Sequence, residues 1–269
     1  MVDVASISFA DISNPRPARP KDAHKGMFGH VVVIGGDFGM PGAVRIAAEG
    51  ALRVGAGVVT VLTREAHIAP VVSGRPELLC YGVDESFCLD AILARATVVL
   101  LGPGLGTSKW SENLFKKVID LPIPKIIDAD GLNLLAKSSK KPNNNWILTP
   151  HPGEAGRLLG ISAQDVQNAR VDALQSLHKK FSGVIVLKGH GTLVGADTIV
   201  KCTTGNPGMA TAGMGDLLAG IIAGLVAQGV DLYTAAKYGV LLHGHAGDKA
   251  LARLNTVSVL ASDLVAEMN

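Results

Sequence analysis

Short, continuously apolar runs alternate with helix-like segments along most of this sequence, and this pattern constrains the fold most. The runs are rich in Val, Ile and Leu, and apolar residues occupy consecutive positions instead of every second one. A strand has that composition when both of its faces are covered, as in a parallel sheet between two layers of helices. The predicted strands are Val31–Ile34, Val58–Leu62, Val98–Leu101, Lys125–Ile127, Trp146–Leu148 and Val184–Leu187.

Helical segments are expected between and after these strands, and one hairpin is expected near the end of the series. The predicted helices are Gly42–Val54, Asp90–Arg95, Gly131–Lys137, Ala163–Lys180 and Leu217–Gln228. The hairpin would pair Thr192–Val194 with Thr198–Val200. Alternation of this kind predicts an α/β protein, a three-layer α/β/α sandwich with a mostly parallel central sheet.

The first 25 residues differ from the rest of the chain. The stretch from Ser13 to Lys25 is rich in Pro, Arg and Lys, and its prolines exclude a regular helix. We therefore expect residues 1–25 to form an extended arm on the surface or on a neighbouring subunit. Residues 26–269 show neither an internal repeat nor a linker, so they are expected to form a single domain.

Composition excludes several classes of function. The net charge is only +2 and aromatic residues make up 4% of the chain, which argues against a nucleic-acid partner. The three cysteines form no CxxC pair, so neither a disulfide framework nor a cysteine zinc site is expected. The N-terminus has no signal-peptide pattern, and the longest apolar stretch, Leu217–Ala227, is shorter than the ~20 residues that span a bilayer. These features predict a soluble, cytoplasmic protein without a membrane partner.

Polar and glycine-rich loops follow the predicted strands. In open parallel sheets, ligands bind beyond the carboxyl ends of the strands, so these loops are expected to build one site. The loops contain Gly35–Ala43, Gly102–Gly106, Asp128–Asn133, Thr149–Glu154 and Lys188–Thr192. The glycine loops match neither the Walker motif nor the dinucleotide fingerprint, and tight turns explain them about as well as ligand binding.

A second glycine-rich segment, Gly205–Asp216, leads directly into an apolar helix. Backbone N–H groups that converge at a helix entrance, together with the helix dipole, form a cradle for a phosphate or a developing anion. Asp216 at that entrance could accept a proton from a substrate hydroxyl. The alternative is that Asp216 is an ordinary N-cap residue.

Three other polar features have both a functional and a structural interpretation, and a fourth has only a structural one. Lys188 could neutralise a phosphate, or it could be a solvated lysine on a hairpin. His151, between two prolines, could contact a ligand or be structural. Asp128 and Asp130 could hold Mg²⁺ or its waters, or cap a helix. The segment His243–Asp248 is expected to serve packing and surface, because its two histidines do not share a helix face.

Taken together, these segments resemble the ribokinase-like family of NAD(P)H-hydrate dehydratases, the YjeF carboxyl-terminal domain. The resemblance runs from Lys25 to about Ser262 and is most specific at Leu148–Gly160 and Gly205–Gly229. It implies a hydro-lyase of nicotinamide-nucleotide repair, which would use ADP or ATP to dehydrate (6S)-hydrated NADH or NADPH. Such an enzyme phosphorylates the ring hydroxyl and then eliminates phosphate. ADP is the favoured donor by analogy with stand-alone bacterial-type members.

The resemblance also implies a role for individual residues. Asp216 would be the catalytic base, and the amides of Gly213 and Gly215 would form the anion hole. The hydrated dinucleotide would contact Ala43, Gly106, His151 and Asp216. The adenine nucleotide, accompanied by Mg²⁺, would be bound by Lys188, Gly189, His190, Gly191, Thr192 and Gly215.

Two departures from the family pattern are visible. Ala212 and Met214 stand where many relatives carry Gly and Ser or Thr. The epimerase domain that often precedes this one is not in the sequence, so a separate epimerase is an expected pathway partner. The resemblance further implies a homotetramer. The rival interpretations are a small-molecule kinase of the same fold that acts on a hydroxymethylpyrimidine-type precursor, and a catalytically silent nucleotide-binding module.

Overall fold

A computed structural model of the chain describes residues 4–84 and 87–268, and in those ranges it forms a ten-stranded sheet flanked by helices. The strands are β1 (Ala5–Ile7), β2 (His30–Ile34), β3 (Val58–Thr63), β4 (Leu79–Gly82), β5 (Val98–Leu101), β6 (Lys125–Ile127), β7 (Trp146–Leu148), β8 (Val184–Leu187), β9 (Leu193–Gly195) and β10 (Ile199–Cys202). The helices are α1 (Pro41–Arg53), α2 (Ile68–Val72), α3 (Asp90–Leu93), α4 (Lys109–Val118), α5 (Ala129–Ala136), α6 (Pro152–Leu159), α7 (Ala163–Asn168), α8 (Arg170–Phe181), α9 (Met214–Ala227), α10 (Leu232–Leu254) and α11 (Ala261–Val265). Short 3₁₀ helices cover Phe9–Asp11, Lys25–Phe28, Glu65–His67 and Pro207–Met209.

The sheet is mostly parallel, as the continuously apolar runs predict. Its strand order is β1-β10-β9-β8-β7-β6-β5-β2-β3-β4. In this order, every pair of neighbouring strands from β8 through to β4 at the edge is parallel. Strand β9 is antiparallel to both of its neighbours, β8 and β10. The antiparallel pair of β9 and β10 confirms the predicted hairpin. Because β2 to β8 run in one direction, the loops after these strands share one edge of the sheet.

Two hydrophobic cores lie on opposite faces of the sheet, which makes the molecule a three-layer α/β/α sandwich. Along β2, Val31 and Val33 pack into the core that includes residues of α1, α9 and α10. Val32 and Ile34 pack into the other core, together with residues of α4, α5, α6 and α8. Each strand residue is thus covered whichever way it points, which explains why the sequence lacks the alternation of a half-exposed strand.

The predicted helices differ from the observed ones mainly at their ends. The segment predicted as one helix, Ala163–Lys180, is two helices, α7 and α8, which meet at Ala169 with φ −138° and ψ 56°. The helix predicted to begin at Leu217 begins three residues earlier, at Met214. Its N-cap is Gly213, and Asp216 lies inside the first turn, so the interpretation of Asp216 as an N-cap is wrong.

The N-terminal segment contributes to the sheet. Strand β1 lies within the first 25 residues, for which the sequence predicts an arm, and it pairs in parallel with β10. The proline-rich stretch that follows contains no regular helix or strand between residues 13 and 24. Arg19 in this stretch lies over the Phe28 ring, 3.9 Å from its centroid, and donates to the Gly55 carbonyl. Among the residues that the structure describes, no helix is both long and apolar enough to cross a membrane.

Candidate active site

The polar loops meet at the carboxyl edge of the sheet, as their positions after parallel strands predict. The loops after β2 and β5 are joined by the Asp37 amide, which donates to the Gly104 carbonyl at 2.6 Å. The loop after β5 contacts α5 through the Gly106 amide, which donates to Asp130 Oδ2 at 2.8 Å. The loop after β8 joins the loop after β7, because the Lys188 amide donates to the Pro150 carbonyl at 2.9 Å. One continuous rim results.

A buried charge cluster forms the centre of this rim. Lys188 Nζ donates to Asp128 Oδ1 at 2.7 Å and lies 3.7 Å from Glu154 Oε2. The Thr149 hydroxyl donates to the same Asp128 oxygen at 2.7 Å. The side chain of Lys188 is only 17% exposed, so the interpretation of Lys188 as a solvated hairpin lysine is wrong. Asp128 occupies the N-cap position of α5, but its side chain makes no capping hydrogen bond there and binds Lys188 instead.

The protonation of the cluster follows from burial and charge. Burial disfavours the ammonium of Lys188, but the carboxylates of Asp128 and Glu154 outweigh this effect and raise its pKa. Burial raises the pKa of Glu154, which receives the His151 amide proton as a 2.7 Å hydrogen bond. Lys188 is therefore a fixed cation with two carboxylate neighbours, which leaves the cluster with excess negative charge.

Asp216 belongs to the electrostatic surroundings of this cluster. Burial and the Asp128 carboxylate raise the pKa of Asp216 to about 6, against the opposing effect of Lys188. A carboxyl group with a pKa near 6 is ionised at neutral pH and is a stronger base than an ordinary aspartate. Perturbed pKa values of this kind are typical of active sites.

The start of α9 has free amide donors beside Asp216. Gly213 adopts a left-handed conformation, with φ 88°, where the chain turns into the helix. The amides of Met214, Gly215 and Asp216 have no hydrogen-bond acceptor among the described residues, as is usual for the first turn of a helix. A Cβ atom on Gly215 would lie 3.3 Å from Lys188 Nζ, so glycine lets the ammonium approach this turn. The arrangement can stabilise a developing negative charge.

A cavity of about 680 Å³ opens beside the cluster. Its walls include all of the residues for which the sequence predicts nucleotide contact, and also His151. These are Lys188, Gly189, His190, Gly191, Thr192 and Gly215. The volume is in the range of ligand pockets in proteins.

Two of the residues for which the sequence predicts contact with the dinucleotide lie along a different part of the rim from the cavity. Ala43 and Gly106 follow β2 and β5, which are neighbouring strands, whereas the cavity lies after β7 and β8. Asp128, at the end of β6, stands between the two groups in strand order. His151 belongs to the cavity side and caps α6, since its Nδ1 accepts the amides of Gly153 at 3.0 Å and Glu154 at 3.3 Å. Its ring therefore has a structural role in addition to its position in the cavity wall.

Several residues of the site are not among the predicted site residues. Asp37 accepts hydrogen bonds from Arg64 at 2.7 Å and from the Ser108 hydroxyl at 2.9 Å, and so ties the loops after β2 and β5 together. His243, predicted to serve packing, is buried in the cavity wall, and burial lowers its pKa to about 4. Asp37 lies in the glycine loop after β2, but nothing in that loop singles out its side chain as a site residue. His243 lies outside the strand-end loops, so the sequence gives no signal for it.

The described residues do not build a metal cage by themselves. Among them, no group of three or more His, Cys, Asp or Glu side chains is placed to hold a metal ion. Asp128 is bound to Lys188 and Thr149, and Asp130 accepts the Gly106 amide and the Asn133 side chain.

Comparison with known protein families identifies the chain. Residues 31–269 match the family described as Carb_kinase, NAD(P)H-hydrate dehydratase. The chain belongs to this family. Its dehydratase relatives include a Neisseria meningitidis protein named ADP-dependent (S)-NAD(P)H-hydrate dehydratase, 40% identical over 86% of this chain and 80% of that one.

A bifunctional relative and two solved structures complete the comparison. The bifunctional NAD(P)H-hydrate repair enzyme of Coxiella burnetii is 55% identical over 92% of this chain and 51% of its own length. The chain thus spans about half the length of the bifunctional relatives that it matches. The Bacillus subtilis ADP/ATP-dependent NAD(P)H-hydrate dehydratase, co-crystallised with ATP and Mg²⁺, superimposes with a TM-score of 0.85 at 26% identity, covering 100% of this chain and 98% of that one. A ribokinase from Arabidopsis thaliana, 14% identical, shares the fold with a TM-score of 0.58 over 90% of this chain and 99% of that one.

Proposed function

We propose that this dehydratase-family chain uses ADP, or ATP, to dehydrate (6S)-hydrated NADH and NADPH. The observation that carries the proposal is the position of Asp216, a carboxyl with a pKa of about 6, beside free amides and the Lys188 cluster. The names of the Neisseria and Bacillus relatives support ADP or ATP as the phosphoryl donor. Asp216 would be the catalytic base, because it lies at the entrance of α9 and its surroundings raise its pKa and hence its basicity.

The proposed reaction has two steps. In the first, the ring hydroxyl oxygen of the hydrate bonds to the terminal phosphorus of the nucleotide, Asp216 takes the hydroxyl proton, and the shortened nucleotide leaves. The amides of Gly213 and Gly215 would stabilise the charge on the transferred phosphoryl group. In the second, the carbon–oxygen bond breaks with its electron pair leaving on phosphate, and the neighbouring ring carbon loses a proton. Phosphate is a far better leaving group than hydroxide, so the nucleotide makes the dehydration feasible.

The two halves of the rim suit the two substrates. The cavity lined by Lys188–Thr192 and Gly215 would take the nucleotide, with Mg²⁺ carried by its phosphates. Ala43 and Gly106 on the other half, together with His151 from the cavity wall, would contact the hydrated dinucleotide. Asp128, which binds Lys188, follows β6 between the two halves and would lie near the phosphoryl group that is transferred. An epimerase that supplies the correct epimer and a homotetrameric assembly remain predictions from the resemblance, and a cytoplasmic location remains a prediction from the sequence.

The decisive experiment is a dehydration assay followed by absorbance. Purified protein, Mg²⁺ and hydrated NADPH are mixed with ADP or ATP in parallel, and recovery of the near-ultraviolet dihydronicotinamide absorbance is recorded. We expect recovery that depends on nucleotide. No recovery with either donor and fresh hydrate of the correct epimer would contradict the proposal. Accumulation of a stable phosphorylated hydroxymethylpyrimidine-type product would favour the rival kinase, and nucleotide binding without any turnover would favour the silent module.

The proposed anion hole can be tested with a matched pair of glycines. Gly213 and Gly229 have nearly the same positive φ, 88° and 87°, at the two ends of α9. Gly213→Ala and Gly229→Ala should each cost about 1 kcal/mol of unfolding free energy, because a Cβ atom disfavours that conformation. Only Gly213→Ala should also lower turnover, by about tenfold or more, because it shifts the amides that face the phosphoryl group.

The measurements are denaturant unfolding and the dehydration assay on both variants. A Cβ atom on Gly213 would meet the end of the Ile46 side chain at 2.8 Å, whereas one on Gly229 would meet nothing within 4 Å. Gly213→Ala should accordingly be the less stable of the two. Equal turnover in the two variants would argue against a role for the Gly213 amide.

A further inference from the structure

Arg170, the first residue of α8, lies against the loop that carries the predicted nucleotide residues. Its guanidinium donates to the carbonyls of Leu187 at 3.0 Å, Lys188 at 3.2 Å and Gly191 at 3.3 Å. It also donates to Gln167 Oε1 at 3.1 Å. One side chain thus holds three carbonyls within five consecutive residues of the loop. The planar, multidentate guanidinium suits this task, whereas a lysine ammonium would act as a single point charge.

These hydrogen bonds decide which way the amides of the loop point. The N–H and C=O of one peptide group point in opposite directions, so a carbonyl held by Arg170 turns the amide of the next residue away from it. The amides concerned are those of Lys188, Gly189 and Thr192, of which the Lys188 amide donates to the Pro150 carbonyl. In the part of the chain that the structure describes, no amide from Gly189 to Thr192 has a hydrogen-bond acceptor. These four residues line the cavity. Gly189 and Gly191 have positive φ angles, and consecutive free amides in a segment of this kind form a concave site for an anion.

The charge of Arg170 is not neutralised by a neighbour. Within residues 4–84 and 87–268, no carboxylate lies at ion-pair distance from its guanidinium. The side chain is partly buried, and burial lowers its pKa, which reflects the cost of an uncompensated cation in this position. A Cβ atom on Gly189 would lie 2.9 Å from Arg170 Nη1, so the cation lies directly under the loop. The loop therefore lies between a positive charge and the cavity.

We infer that Arg170 is a positioning residue for nucleotide phosphate, which it serves by turning the amides of Gly189 and Thr192 toward the cavity and by adding positive potential beneath the loop. The inference rests on the proposed nucleotide site but does not require the dehydration chemistry. It assigns Arg170 to the phosphates of the nucleotide and not to its base or ribose. Substrate contact by the guanidinium itself is not part of the inference, because both of its terminal nitrogens donate to carbonyls of Leu187, Lys188 and Gly191.

The test compares Arg170→Met with Lys180→Met in direct binding measurements. Lys180 lies on the same helix and also donates to a backbone carbonyl, that of Leu158 at 2.7 Å, but it is not part of the cavity wall. Affinities for ADP and for adenosine are measured by calorimetry without the hydrated substrate. In Arg170→Met, we expect ADP affinity to fall by about tenfold to a hundredfold, a range typical of lost charge-assisted contacts, while adenosine affinity is unchanged. Lys180→Met should bind both ligands as the unmodified protein does.

Arg170→Lys separates the charge from the geometry. It should keep most of the salt dependence of ADP binding, because the positive charge stays, but it should recover only part of the affinity, because one ammonium cannot hold three carbonyls. This variant also keeps the inference testable if Arg170→Met folds poorly. Equal losses for ADP and adenosine would overturn the inference, since they would show that Arg170 only supports the loop. Unchanged ADP affinity in Arg170→Met would overturn it as well.

The same measurements distinguish this inference from the proposed function. If the unmodified protein binds neither ADP nor ATP, the proposed nucleotide site itself is wrong. If it binds ADP and Arg170→Met binds ADP equally well, the proposed function stands and the assignment of Arg170 fails. If ADP binding depends on Arg170 but the hydrate is not dehydrated, the phosphate site stands without the proposed reaction.

Discussion

Asp216→Asn is expected to lower nucleotide-dependent dehydration by about 10²–10⁴-fold, the range for loss of a general base. The amide has nearly the size of the carboxyl and keeps the helix geometry, but it cannot accept the hydroxyl proton. Affinity for ADP should not decrease, because the change removes a negative charge near the phosphate site. The dehydration assay and ADP calorimetry measure the two effects separately. Turnover close to that of the unmodified protein would rule out Asp216 as the base.

The pH dependence provides a control on this assignment. The pKa of Asp216 is raised to about 6 by burial and by Asp128, so the carboxyl changes from acid to base form as pH rises through that value. Turnover of the unmodified protein should therefore rise with pH up to about 6 and then level off. The residual activity of Asp216→Asn should lack this step.

As pH rises, the contribution of Asp216 to the free energy of unfolding should fall while turnover increases. Because the folded-state pKa of Asp216 lies above its ordinary value of 3.8, ionisation at higher pH disfavours the folded state. This cost is absent well below pH 4 and is fully present above about pH 6. Asp216→Asn should thus be at least as stable as the unmodified protein at pH 8. Denaturant unfolding at pH 8 checks this, and a large loss of stability there would show that the lost activity reflects unfolding.

The sequence predicts those parts of the fold that depend on local composition. Strands β5, β7 and β8 are continuously apolar, β2 is so after His30 and β6 after Lys125, and the predicted bounds of all five agree closely with the observed ones. Strand β4 escapes prediction because it lies at the sheet edge and exposes Leu79 and Tyr81, which are 48% and 40% exposed. Strand β1 has only three residues, and its pairing with β10, almost 200 residues away in the chain, has no local signature.

The sequence predicts which residues of the candidate site lie on the rim of the sheet, but it does not predict the contacts between their side chains. Strand-end position alone is enough to place Asp128, His151 and Lys188 at one edge of the sheet. The ion pair of Lys188 with Asp128 joins residues 60 positions apart, and only the sheet order brings them together. The sequence gives even less indication of the contacts of Arg170. This residue begins α8 at the break after α7, where the sequence predicts one continuous helix.

Lys188→Met is expected to destabilise the protein by about 3–5 kcal/mol at pH 7, the cost of removing one partner from a buried ion pair. Asp128 and Glu154, only 2% and 7% exposed, would remain as two neighbouring carboxylates without their cation. Their charged forms would then be buried without a cation, so the destabilisation should be small at low pH, where carboxyl groups are protonated, and grow as pH rises. Turnover should be lost as well, because Lys188 lines the proposed nucleotide cavity beside Asp128.

Lys125→Met is the matched control, since Lys125 is a fully buried lysine on β6, the strand that leads to Asp128. Its ammonium donates to the carbonyls of Leu121 and Ile123, and burial lowers its pKa to about 8. Lys125 stays charged from pH 5 to 7 in both folded and unfolded chains, so its replacement should change the unfolding free energy by a constant amount over that range. Urea unfolding at pH 5 and pH 7 compares the variants. If the destabilisation by Lys188→Met does not grow with pH, this would contradict the proposal that Lys188 is the cation that stabilises the buried carboxylates of Asp128 and Glu154.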